Sequence, residues 1–162
     1  MVMPDPFVKI DVKNSVTNWL INFEEAINQN NADAASLLFV EDGHWRDLLA
    51  FTWHIRTVNG PSEIKDMVKE TAVNSGAKSL KIAQHRTPPR VVDRGDTVCI
   101  EAFIEFKTKT GPASGILRLV PDSGSPDGVK AWVLLTSLEE ISDHEEAIGE
   151  HRPSGENYSR TF

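Results

Sequence analysis

The sequence predicts an α+β fold in which a curved, mostly antiparallel sheet wraps around about three N-terminal helices. Apolar residues recur at helical spacing through the N-terminal half of the chain. After Lys78 the period changes from helical to two, and Gly-, Pro-, Asp- and Ser-rich turns separate the strand-like segments that follow. Helices followed by strands that are joined in order are typical of an α+β layer arrangement.

Three segments predict the helices. The first begins at an Asn14 or Ser15 cap and ends at "NQNN", residues 28–31. In the second, Asp33 caps "AASLLF". The third starts with Pro61 in its first turn and ends at Gly76. Its apolar stripe consists of Ile64, Met67, Val68 and Thr71.

The strands follow from alternation. "GHWRD" predicts a short strand that runs into a helical turn, "LLAFTW". "SLKIAQHR" and "PPRVVDRG" read as one strand that Pro88 and Pro89 break, as at a bulge or a sheet edge. A tight turn at "RGD" then leads into three long strands, "TVCIEAFIEFKTKTG", "ASGILRLVPDSG" and "GVKAWVLLTSLEEI".

Periodicity also divides the chain. We expect a flexible lead-in at 1–13, one folded domain at 14–141 and a charged tail at 142–162. A chain of 162 residues fits a single domain.

Composition excludes several classes of protein. Hydrophobic residues make up 40% of the chain, no apolar run is long enough to span a bilayer, and no secretory signal is visible. The net charge is −7 and no lysine–arginine cluster appears, so nucleic acid and membranes are not expected partners. A single cysteine, Cys99, lies in an apolar strand pattern, where we expect a small buried side chain. These features predict a cytoplasmic protein.

Four segments resemble, in the same order, the N-terminal accessory domain of flavin-containing monooxygenases: "GHWRDLLAFTWHIRTVNG", "GILRLVP", "KAWVLLTSLEEI" and "HEEAIGEHRPSG". The resemblance covers about residues 16–155. The order of elements is similar to the nuclear transport factor 2-like superfamily, which includes SnoaL-like cyclases. This similarity implies a cone-shaped barrel with a pocket. We expect the chain to be a stand-alone form of the accessory domain or the partner of a separate enzyme. Because no GxGxxG phosphate loop is present, we expect no flavin or nicotinamide cofactor.

The stretch at 43–57, "GHWRDLLAFTWHIRT", supplies the first site candidates, and the resemblance places them at the floor or mouth of the cone. Asp47 and His54 are candidate acid–base groups, with the pKa of Asp47 tuned by a neighbouring arginine. The alternative is an Arg46–Asp47 ion pair and core tryptophans. The predicted substrate-binding residues of this stretch are Trp45, Arg46, Trp53 and Arg56.

The strands supply the remaining candidates. Glu101 is a possible third catalytic acid, although a rim-facing or solvated carboxylate is the alternative. Arg118 and Trp132 are candidate substrate-binding residues, and Arg118 pairs with a sheet carboxylate in the structural interpretation. No histidines have the spacing of metal ligands, so no metal site is expected. A sheet with two apolar faces needs a cover, which predicts a homodimer.

Two functional hypotheses follow. The first is a cofactor-independent acid–base enzyme, a cyclase, isomerase or dehydratase of secondary metabolism, acting on a small hydrophobic, oxygenated metabolite. The second is a non-catalytic module that binds a ligand or a separate flavoenzyme.

Overall fold

The computed structural model describes residues 5–142. This part of the chain forms three helices and seven strands, in the order α1-α2-β1-β2-α3-β3-β4-β5-β6-β7. The helices are α1 (Val12–Asn28), α2 (Ala32–Ser36) and α3 (Gly60–Ser75). The strands are β1 (Phe39–Leu48), β2 (Ile55–Asn59), β3 (Lys78–Ile82), β4 (Arg90–Arg94), β5 (Thr97–Lys107), β6 (Pro112–Pro121) and β7 (Val129–Leu138). Within residues 5–142, no helix combines the length and apolar character needed to cross a bilayer.

Two of the predicted helix N-caps are wrong. Asp11 caps α1, because its carboxylate accepts the backbone N–H of Asn14 at 3.1 Å. The helix therefore begins before the predicted Asn14 or Ser15 cap. Asn31, not Asp33, caps α2 by accepting the N–H of Ala34 at 3.1 Å. In both cases the acceptor lies three residues before the donor, the spacing at which a cap reaches a free N–H.

The third helix ends as predicted. Pro61 lies in its first turn, and Gly76 follows its last residue with φ of +60°, a left-handed conformation that favours glycine. All four predicted stripe residues are buried. The predicted tail lies outside the described residues except for Ser142. At the other end, Phe7 packs into the core with an exposure of 3%.

The seven strands form one sheet in the order β2-β1-β7-β6-β5-β3, with β4 also paired to β5. Only β1 and β7 are parallel, so the predicted mostly antiparallel sheet is confirmed. The sheet curls around the helices without closing, since β2 and β3 stay unpaired with each other. β3 and β4 lie in line along the same edge of β5, as the Pro-broken strand predicted.

The segment between β1 and β2 departs from the prediction. "LLAFTW" forms no helical turn: β1 continues to Leu48, and residues 49–54 bend back into β2. Leu49 takes φ of +66°, which is uncommon for a residue with a branched side chain. The side chain of Asp47 determines this path, as described below.

The sheet has a helix-covered inner face and an outer face. The inner face packs on α1 and α3 and forms the core. The outer face is organised in three rows of neighbouring side chains that run across the strands. The arginine row contains His44, Val133, Arg118, Glu101 and Arg90. The apolar row contains Arg46, Leu135, Ile116 and Phe103. The polar row contains Leu48, Ser137, Ser114, Glu105 and Lys81.

Candidate functional site

Asp47 lies on the inner face of β1 and is fully buried. The indole N–H of Trp45 donates to the Thr136 hydroxyl at 2.9 Å, and that hydroxyl donates to Oδ1 of Asp47 at 2.6 Å. The parallel pairing of β1 with β7 places Asp47 directly beside Thr136. A buried chain of this kind fixes the orientation of every group in it.

The second carboxylate oxygen of Asp47 holds the 49–54 segment. Oδ2 accepts the backbone N–H groups of Phe51 at 2.9 Å and Thr52 at 2.8 Å. These donors would otherwise be left without partners inside the fold. Asp47 therefore acts as a structural acceptor for its own loop.

Neither predicted arginine forms an ion pair with the Asp47 carboxylate. Arg46 is exposed on the outer face of the sheet, whereas Asp47 points inward. Arg56 lies opposite Asp47 in the β1–β2 register, but its guanidinium pairs with Glu70 of α3 at 2.6 Å. The predicted Arg46–Asp47 ion pair is wrong as well, because adjacent residues of a strand face opposite sides of the sheet.

Aromatic side chains fill the interior around Asp47. The ring of Phe51 packs edge-on against Trp45 with centroids 4.8 Å apart and lies 5.9 Å from the ring of Phe106. Phe23 of α1 contacts Trp45 from the helix side at 5.6 Å. Trp45 therefore packs in the core rather than lining an open pocket. Two cavities of about 500 and 530 Å³ open on the surface of the described chain, and neither is lined by Trp45 or Asp47.

Two predicted site residues face solvent. His54 is exposed, and Trp53 has 65% of its surface accessible to solvent. Both lie at the end of the 49–54 segment, after the residues whose N–H groups bond to Asp47, and their side chains point away from the interior. The structure does not bring His54 and Asp47 into one cavity.

Glu101 lies on the outer face, on the opposite side of the sheet from Asp47. Its carboxylate is 4% exposed and contacts three arginines: Arg90 at 3.1 Å, Arg94 at 2.7 Å and Arg118 at 2.8 Å. Hydrogen bonds from Arg94 and then Arg118, with their charges, lower the pKa of Glu101 to about 2, although burial acts in the opposite direction. The predicted pairing of Arg118 with a sheet carboxylate is confirmed. The alternative prediction, that Glu101 is solvated or faces the rim, was wrong.

The arginine cluster has more donors than its carboxylate can accept. Three guanidinium groups surround one carboxylate, and Nη1 of Arg90 is buried without a hydrogen-bond partner among the described residues.

Cys99 is buried two residues before Glu101, as expected, and burial raises the pKa of its thiol.

Alternation predicted that Trp132 shares a face with Leu134 and Thr136, and this prediction was wrong. The pairing of β6 with β7 passes from Arg118–Val133 to Leu119–Ala131, so Trp132 is the extra residue of a β-bulge. Its ring lies 6.5 Å from the ring of His44, which belongs to the outer face. Trp132 therefore joins Arg118 and Glu101 on that side of the sheet.

Solved structures with a similar fold identify the architecture. An NTF2-like protein with a cystatin-like fold from Novosphingobium aromaticivorans superposes with a TM-score of 0.52 at 16% identity, covering 79% of this chain and 82% of that one. This chain has the nuclear transport factor 2-like fold. A domain with a cystatin-like fold from Nostoc punctiforme superposes on this chain with a TM-score of 0.58 at 10% identity, covering 82% of this chain and 80% of that one. ActVI-ORFA from Streptomyces coelicolor gives a TM-score of 0.52 at 9% identity, covering 78% and 96%.

No family model and no curated protein matches the sequence of this chain. The similar solved structures confirm the predicted fold. The closer resemblance to the accessory domain of monooxygenases stays a prediction.

Sequence reasoning did not identify several residues that contact the predicted site residues. Arg90 and Arg94 lie four residues apart on one face of a short strand, and this spacing could have indicated that both face one carboxylate on the next strand. No local signal identified Thr136 as the partner of Asp47, because the two residues are distant in sequence and meet only in the β1–β7 pairing.

Proposed function

We propose that this chain is a non-catalytic binding module that associates with a second copy through the outer face of its sheet. The observation that carries the proposal is a patch of half-buried apolar side chains over which none of the helices of residues 5–142 packs. The patch consists of Leu48, Ile116, Trp132, Val133 and Leu135. An uncovered apolar sheet face is typical of an interaction surface.

The order of the rows favours a second copy as the occupant. Along β6 the outward side chains run from Ser114, which contacts Glu139, through Ile116 to Arg118. We place a two-fold axis beside Ile116, in the plane between the two copies and perpendicular to β6. The two outer faces then stack on each other, and the two β6 strands run in opposite directions. Apolar groups then meet apolar groups, and Arg118 of each copy faces Glu139 of the other. Self-complementarity of this kind is what a two-fold interface requires.

The acid–base hypothesis has less support. Asp47 is occupied by its own loop, His54 faces solvent, and Glu101 is held by arginines on the opposite side of the sheet. A general acid or base must reach the proton it transfers. A turnover of oxidised metabolites that disappears in the His54→Ala variant would revive this hypothesis.

Sedimentation equilibrium tests the proposed association. We expect the wild-type protein to have about twice the chain mass of 18.0 kDa. Leu135→Lys should reduce it to the monomer, because a charge would be buried in an apolar contact. Val73→Lys, which changes an exposed residue of α3, should leave the dimer intact.

A wild-type monomer at all concentrations would contradict the proposal. If Leu135→Lys unfolds the chain, Ile116→Ser, a smaller change in the same patch, replaces it and should also weaken the dimer. A monomer that forms a complex with a flavin-containing monooxygenase would instead assign this face to that partner and overturn self-association.

A further inference from the structure

A groove of about 530 Å³ opens beside the apolar patch, at the edge of the sheet formed by β3 and β5. Its floor is the outer face of β5 and β6, with Phe103 as its main apolar side chain. The connection between β3 and β4 forms one wall with Gln84, His85 and Arg86. This volume lies within the usual range for small-ligand sites.

Arg86 is placed to recognise a planar group. Its guanidinium carbon lies 5.1 Å from the centroid of the Phe103 ring. Guanidinium groups stack on aromatic rings while their N–H edges stay free for a carboxylate. The stack presents a flat apolar surface and a directed cation in the same groove.

The carboxylates of the groove already have partners. Glu105 pairs with Lys81 at 3.4 Å, and Glu139 accepts the hydroxyl of Ser114. Arg86 and Lys107 line the same groove, and neither pairs with a carboxylate among the described residues.

The surroundings add positive potential. The cluster of three arginines around Glu101 lies two residues from Phe103 on the same face of β5, a separation of roughly 7 Å. The whole chain has a net charge of −7. The arginine cluster, Arg86 and Lys107 make this region cationic, in contrast to the rest of the protein. A local field of this sign attracts anions.

We infer that the groove binds a planar, apolar anion, namely an aromatic or conjugated carboxylate. The ring of the ligand lies against Phe103 and Arg86, and its carboxylate bonds to the free edge of Arg86 with Lys107 nearby. The groove borders the proposed interface at Ser114 and Glu139. The inference does not require self-association, because Phe103, Lys107 and Arg86, the groups assigned to the ligand, lie on β5 and on the β3–β4 connection, outside the apolar patch.

Isothermal titration calorimetry of the full chain at pH 7 with 2-naphthoate tests the site. We expect saturable binding, and at least tenfold weaker binding of 2-naphthalenemethanol, which keeps the ring but lacks the charge. Arg86→Gln should weaken naphthoate binding at least tenfold. Arg46→Gln removes the same charge from an exposed residue on the same face and should change binding less than twofold.

Three results would overturn the inference: no binding of naphthoate at millimolar concentration, equal binding of the alcohol, or an equal loss in Arg46→Gln and Arg86→Gln. The last result would show a diffuse field rather than a site. Phe103→Leu gives a second readout, because loss of the stack should weaken binding while a hydrophobic side chain remains. The molar mass stays a separate measurement, so failure here leaves the proposed association untouched.

Discussion

Asp47 shows how a residue that sequence singles out for chemistry can have a structural role. Its carboxylate accepts the Thr136 hydroxyl and the backbone N–H groups of Phe51 and Thr52. The sequence predicted that "WRD" matters, but alternation alone does not say which strand face turns inward. Burial of Asp47 and exposure of Arg46 follow from that choice of face.

We predict that Asp47→Asn lowers the free energy of unfolding by about 2–3 kcal/mol. An amide offers one carbonyl oxygen, so its NH₂ group must face either the Thr136 hydroxyl or two backbone donors. Urea unfolding measures the change. Asp66→Asn alters an exposed carboxylate and is the matched control; an equally small effect in both variants would contradict the structural role.

At the scale of elements, β4, β5 and β6 are joined through Glu101. Its pKa of about 2 is below the value of about 4.3 expected in the unfolded chain, so the folded state favours the ionised form. The contribution to stability is therefore fully present above about pH 4.5 and is lost as the pH falls toward 2. Its size is on the order of 3 kcal/mol.

We predict that Glu101→Gln destabilises the protein by about 2–4 kcal/mol at pH 7, because three guanidinium groups lose their shared carboxylate. The difference from wild type should shrink between pH 4.5 and pH 2. Glu105→Gln, a more exposed member of the polar row, should cost less than about 1 kcal/mol. A pH-independent difference for Glu101→Gln would argue against the low pKa.

The elements also show where sequence reasoning works and where it fails. Gly76, Pro61 and the Pro88–Pro89 break were interpreted correctly because each rests on a local backbone constraint. The bulge at Trp132 was not predicted, because it depends on how β7 pairs with β6. The helical turn at "LLAFTW" failed because hydrogen bonds to Asp47 outweigh the apolar pattern.

At the scale of the whole molecule, the fold was predictable because the order of elements and the change of period extend over the whole predicted domain, residues 14–141. The candidate site was not, since it required knowledge of which face lies inside. The inner face is filled by Trp45, Phe51 and Phe106. The outer face carries the apolar patch and the arginine row, which is why we place function there.

The concentration dependence of thermal unfolding tests this account most directly. Unfolding of a dimer releases two chains, so the melting temperature rises with protein concentration, by about 4 °C for a hundredfold increase in a dimer of this size. We expect that rise for the wild-type protein. A melting temperature that stays constant over the same hundredfold range would contradict association through the outer face.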